Sequence, residues 1–238
     1  MNFHLAQLVA IARHANAHLK GRKIDRESLD IVCTPCKRIA FAVFGDGQVQ
    51  RIAKSPRDWF AALEKKGAYE VRLIHQTYDD DHPLPEHIAV AFEGSDEDWA
   101  MEVLMPENKS HFWFARWEDG GKPGVSYGLM AMAETQPQAV SDIETASREL
   151  KQALENIHRF AQKHACNPFT GHFATALHTL QRGGADALNE ACNTAWVFGG
   201  MGSWNDMGFS GKDGEEYDRV TRQLHTRINE ALIAAASY

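Results

Sequence analysis

Long hydrophobic runs are missing from this 238-residue sequence. Its apolar stretches, Ile39–Phe44 among them, fall far short of the roughly 20 residues that a helix needs to cross a bilayer, so no membrane role is expected. Basic charge is also in short supply, with 25 Lys and Arg against 32 Asp and Glu and a formal net charge of −7. A surface that tracks phosphates needs clustered cations, so nucleic acid is not an expected partner. Cysteine is scarce as well, and four thiols in a chain of this length do not make a disulfide scaffold. Met1-Asn2-Phe3-His4-Leu5 carries neither a basic stretch nor a long apolar stretch of the kind that opens a secretory signal. Reduced cysteines and a cytoplasmic location are the resulting expectation. Repeats and low-complexity linkers are absent too, which favours one domain over residues 1–238.

What is present suits a packed core, with 44% of residues hydrophobic and 24% charged. Leu5, Leu8, Val9 and Ala12 share one stripe of a helix predicted from Phe3 to Lys20. Leu29–Val32 and Ile39–Phe44 read as strands, the second followed by a turn at Gly45-Asp46-Gly47. Ser55-Pro56-Arg57-Asp58 opens a helix whose apolar face is Trp59, Phe60 and Leu63 and whose end is Gly67. Further strands are expected at Tyr69–Tyr78, Ile88–Phe92, Trp99–Met105, Phe112–Trp117 and Val125–Met132, and the short connections favour antiparallel pairing. From Ser141 the pattern turns helical, with a capping box at Ser141-Asp142-Ile143-Glu144. Helices are predicted over 169–180, 185–195 and 214–236. The fold class is therefore α+β: an antiparallel or mixed sheet of about five to six strands in a sheet-rich region about 29–133, packed with a helical region about 141–236.

Several stretches are candidates for chemistry. Between two tryptophans lie Gly199, Gly200 and Gly202, followed by Ser203, Trp204, Asn205 and Asp206. Glycines admit close approach of a ligand, successive amides can form an anion nest, and the tryptophans can wall a pocket. The blander reading is a buried turn anchored by its aromatics. No phosphate-loop or nucleophile-elbow pattern fits here, since Ser203 has Met201 and Asn205 where that elbow needs glycine.

Cys33-Thr34-Pro35-Cys36-Lys37 resembles the redox-active turn of thioredoxins over those few residues. The resemblance implies a reactive thiol pair at Cys33 and Cys36, with Val32 departing from the aromatic usual before the first thiol. Without a helix start behind them, buried or incidental thiols are the plainer expectation. Twelve histidines raise the question of metal, but His14 with His18, His172 with His178, and Asp79-Asp80-Asp81-His82 all read as solvated polar surface. Neither a metal nor a cofactor is expected. Phe112–Trp117 is the densest aromatic run and is expected to be a central core strand.

Two functional readings follow. In the first, Asp79, Asp80, Asp81, Asp96, Glu97 and Asp98 present acid to a basic protein partner, in the manner of an antitoxin or immunity protein without catalysis. In the second, a small enzyme holds its pocket at Gly199–Asp206, with Asp206 as acid or base, Ser203 and Asn205 on the substrate, and His172 or His178 reaching in. A thiol redox protein using Cys33 and Cys36 is a further alternative.

Overall fold

The computed structural model describes residues 1, 3–23, 25–45, 48–76, 86–93, 98–118, 123–134 and 139–238. Its contacts fall into two compact units, residues 2–139 and 140–236. The secondary structure is α+β, with a sheet in the N-terminal unit and helices throughout the C-terminal one. Among the described residues no helix is long and apolar enough to cross a membrane.

The N-terminal unit begins with α1 (Phe3–Leu19) and α2 (Arg26–Cys33), then β1 (Arg38–Gly45), β2 (Gln48–Ala53) and α3 (Pro56–Lys65). It continues through β3 (Glu70–His75), α4 (Glu86–Glu93), β4 (Trp99–Met105), β5 (Lys109–Glu118) and β6 (Gly124–Glu134). The six strands lie in the order β2-β1-β6-β5-β4-β3. β3 to β6 form the expected antiparallel run, whereas β1 pairs with β6 in parallel, so the sheet is mixed.

Two expected strands are helices. Leu29–Val32 lies in α2 because Asp25 caps it, its carboxylate accepting the amides of Glu27 and Ser28 at 3.1 and 3.4 Å. Only Leu29 of that run is buried, while Ile31 is 64% exposed, which no core strand would tolerate. Ile88–Phe92 lies in α4, where Ile88, Ala91 and Phe92 face inward and Val90 outward. That is the spacing of a helix face, not of a strand. In the other direction, the edge strand β2 arises from Gln48–Ala53, half of it polar, where no strand is expected from the sequence.

β5 is central, and Phe112, Trp113, Phe114 and Ala115 are all buried, so both faces of the sheet are covered there. On one face Phe41 stacks on Trp59 at 4.4 Å and on Tyr127 at 5.2 Å, and Trp59 meets Trp113 edge-on at 5.4 Å. On the other, α4 sets Ile88 and Phe92 against Phe112 and Phe114. Two buried amides tie α1 into this body. Gln7 accepts the Tyr127 hydroxyl at 2.7 Å and donates to the Val32 carbonyl at 3.3 Å. Asn16 pairs with the β3 backbone as another strand would, donating to Val71 O at 2.7 Å and accepting Val71 N–H at 2.8 Å.

The C-terminal unit comprises α5 (Ile143–Lys163), α6 (Asn167–Leu180), α7 (Gly184–Ala195), a single 3-10 turn at Trp204–Asp206, and α8 (Gly211–Ser237). The cap of α5 is Asp142, which accepts Thr145 N–H at 2.8 Å, in place of the expected Ser141. α5 and α8 run antiparallel, since their contacts step in opposite directions: Glu149 to Arg227, Asn156 to Gln223, Phe160 to Tyr217 and Lys163 to Asp213. Val220, Leu224, Ile228 and Leu232 form the buried stripe of α8.

Candidate functional site

The glycine-rich turn is built around Trp204. This indole is fully buried, with Tyr217 stacked on it at 5.4 Å and Phe169 and Phe173 meeting it edge-on at 5.2 and 5.4 Å. Its Nε1 donates to Thr221 Oγ1 at 2.8 Å, and its carbonyl accepts the Tyr217 hydroxyl at 2.6 Å. Every polar group that an indole brings into a core is thereby matched. Gly199, Gly200 and Gly202 all take φ between +80° and +87°, the left-handed region where a Cβ would be strained. The amides of Gly202 and Ser203 both turn toward the Asp206 carboxylate, Ser203 at 3.1 Å. The nest that those amides make is filled from within by Asp206, so the turn spends its backbone donors on itself. Asn205 is different: it is exposed, and it points outward into an adjoining depression.

That depression has a volume of about 330 Å3 and is lined by Phe198, Asn205, Thr221, Arg222, His225 and Thr226. Four of the six come from one strip of α8, because positions i, i+1, i+4 and i+5 lie side by side on a helix. His225 lies against Phe198, edge-on at 5.3 Å, and against Trp196, tilted at 5.8 Å. Its burial among these rings lowers its pKa, so the imidazole is neutral at pH 7, with one nitrogen a donor and the other an acceptor. Among the described residues, the side chains of Asn205, Arg222, His225 and Thr226 have no hydrogen bond or ion pair within the protein. A guanidinium, an amide, a hydroxyl and an imidazole thus line one depression beside an aromatic wall, Asn205, Arg222 and Thr226 exposed to solvent and His225 half-buried. Donors of this kind match the oxygens of a carboxylate or a phosphate, with the guanidinium able to engage two oxygens at once.

A larger depression of about 830 Å3 lies in the N-terminal unit, lined by His18, Arg22, Lys23, Asp25, Glu27, Arg57 and Phe60. Its polar groups are mostly engaged already. His18 bonds Glu64 at 3.1 Å, Arg57 forks onto Asp30 at 2.8 and 2.9 Å, and Asp25 caps α2. Size alone does not make it the better site, because His18 and Arg57 are already matched by carboxylates of the same protein.

The remaining candidates are distributed differently. Asp79, Asp80, Asp81, Asp96 and Glu97 lie outside the described residues, and Asp98 is exposed, its carbonyl accepting Gln76 N–H at 2.8 Å. His172 and His178 are exposed on α6 and do not line the depression beside Asn205. His14 joins α1 to the start of α2, with Nε2 at 2.9 Å from Asp25 O and 3.0 Å from Ser28 Oγ. Cys33 ends α2 where a thioredoxin-type turn would open a helix, so the negative helix end faces it. Burial first, then Cys36 and Asp30, push its thiol up to about 12. Cys36 Sγ accepts a hydrogen bond from Gln7 Nε2 at 3.4 Å. Among the described residues, the group with metal-ligating spacing is His164, Asp213 and Glu216, whose donor atoms lie within 4.8 Å of one another.

Sequence reasoning reached Asn205 but missed Phe198, Arg222, His225 and Thr226. One signal was there: positions 221, 222 and 225 flank the predicted apolar stripe Val220-Leu224-Ile228, and the row beside a buried stripe is where a half-buried histidine belongs. No protein-family model, no curated protein and no solved structure matches this chain.

Proposed function

We propose that the C-terminal unit binds a small organic anion, a carboxylate or phosphate carrying an apolar part, in the depression lined by Asn205, Arg222, His225 and Thr226. The carrying observation is that four polar side chains, one of them a guanidinium, line the same depression and have no hydrogen bond or ion pair within the protein, which leaves them free to exchange water for a ligand. Arg222 takes the charge, Asn205 and Thr226 fix its oxygens, and Phe198 covers the apolar part. The neutral His225 either donates to the same anion or accepts a proton from it, which is also the position of a general base in a small enzyme. The acidic docking surface for a basic protein remains a second reading, with the exposed Asp98 as its described residue.

Calorimetric titration with benzoate and with inorganic phosphate tests the proposal. The expected result is saturable binding of at least one of them, weakened about tenfold or more in Arg222→Met and unchanged in Arg148→Met on α5. Failure of both anions to bind, or binding indifferent to Arg222→Met, would refute it.

A further inference from the structure

We propose that His164, Asp213 and Glu216 form a binding site for a divalent transition-metal ion of the zinc class, separate from the anion-binding depression. The antiparallel pairing of α5 and α8 creates the cluster. His164 is the residue at which α5 ends, and Asp213 and Glu216 stand three apart on the opening turns of α8, hence on one face. The donor atoms lie within 4.8 Å of one another, and His164 Nε2 is 3.6 Å from Asp213 Oδ1. Ligands held about 2.0–2.2 Å from a zinc ion stand roughly 3–3.6 Å apart, so a closure of about 1 Å by the Glu216 carboxylate completes the set.

The burial of the imidazole adds a second observation to the spacing of the donors. His164 Nε2 is a buried atom with no hydrogen-bond partner, and 3.6 Å to the carboxylate is too long to be one. Buried polar atoms are nearly always matched, and a neutral imidazole nitrogen whose lone pair faces two carboxylates is matched by a cation shared among the three. The ring cannot easily turn away, because Phe160 packs on it at 4.4 Å and Phe209 at 5.0 Å. A donor set of one imidazole and two carboxylates suits zinc, cobalt, nickel or manganese better than magnesium or calcium, which take oxygen.

A cation already stands against this cluster. Lys163 Nζ bonds Asp213 at 3.0 Å and Glu216 at 3.2 Å. Its side chain is 55% exposed on a flexible stem, so it can swing out as the metal enters. Lys163 is therefore a competitor for the two carboxylates and lowers the apparent affinity. With three protein ligands and Asp213 half exposed, the ion keeps a coordination position open to solvent.

The test is competition for Zn2+ against a chromophoric chelator, together with the visible spectrum of the Co2+ complex, on the full chain. The expected result is one ion per chain, loss of at least about tenfold in affinity in Asp213→Asn and in Glu216→Gln, and a gain of several-fold in Lys163→Met. His164→Ala should remove the site, and the two exposed acid variants keep the test valid if that packed ring is needed for folding. Two outcomes would overturn the proposal: no stoichiometric binding in either the native chain or Lys163→Met, or binding that the acid variants and Lys163→Met leave unchanged, as expected for scattered surface histidines.

Discussion

Asn16→Leu should cost the N-terminal unit about 2–4 kcal/mol. Asn16 is fully buried, and its amide makes both of the hydrogen bonds that Val71 directs away from β4. Leucine fills the volume and removes both partners, leaving an N–H and a C=O buried without a match at roughly 1–3 kcal/mol each. With each group at about 2 kcal/mol the loss is about 4 kcal/mol, and burying the leucine side chain returns about 1.5 kcal/mol, which leaves about 2.5 kcal/mol, within the stated range. Against a typical total of about 5–15 kcal/mol this is a large fraction, and it corresponds to a fall in melting temperature of roughly 5–15 °C. Urea unfolding followed by far-UV circular dichroism gives the free energy, and hydrogen exchange at the Val71 amide gives the location. A cost below about 0.5 kcal/mol, or unchanged protection of Val71, would refute the argument that Asn16 acts as a surrogate strand on the sheet edge.

His225 should titrate below the ordinary value near 6.5, because burial disfavours its charged form. Its folded pKa is lowered, so its contribution to stability is present above the unfolded value and is lost as pH falls through that value toward the folded one. A His225 imidazole that titrates at or above 6.5 by NMR would contradict the packing described around it. Asp206→Ala should lower stability by roughly 0.5–2 kcal/mol by releasing the amides of Gly202 and Ser203, with Asp206→Asn recovering part of the loss. An unaltered melting temperature would refute a stabilising role for those two contacts. Cys33, with its thiol pushed up to about 12, should react with iodoacetamide at pH 8 on the order of a hundredfold more slowly in the folded chain than in urea. Rapid modification, or ready closure of a Cys33–Cys36 disulfide, would restore the redox reading.

Much of the fold was legible where one local signal acted alone. Ser55-Pro56 and Gly67 bracket α3 because cap chemistry depends on neighbours in sequence only. The long stripe of α8 was equally plain. Leu29–Val32 and Ile88–Phe92 were misread because a four- or five-residue apolar run has no period of its own, and Asp25 or the outward Val90 decides the matter. β2 gave no sign because an edge strand of Gln48–Ala53 owes its conformation to its partner β1. The parallel join of β1 to β6 depends on pairing across more than eighty positions, which local patterns do not carry.

The candidate sites were less legible, for a related reason. The glycines of the turn drew attention because they are locally unusual, and the structure accounts for them by backbone geometry. The donors are ordinary residues of a helix, Arg222, His225 and Thr226, and what sets them apart is that they share one depression without pairing within the fold. His164 lies nearly fifty positions before Asp213 and meets it only because α5 and α8 run antiparallel. Absence of a partner and proximity across helices are properties of the folded chain.

The most direct measurement is an NMR titration of the histidine side chains with benzoate and with phosphate. The account predicts saturable shifts of the His225 resonances, abolished in Arg222→Met, while the exposed His172 and His178 stay in place. Stationary His225 signals, or equal movement of all three rings, would contradict a binding site built on Asn205, Arg222, His225 and Thr226.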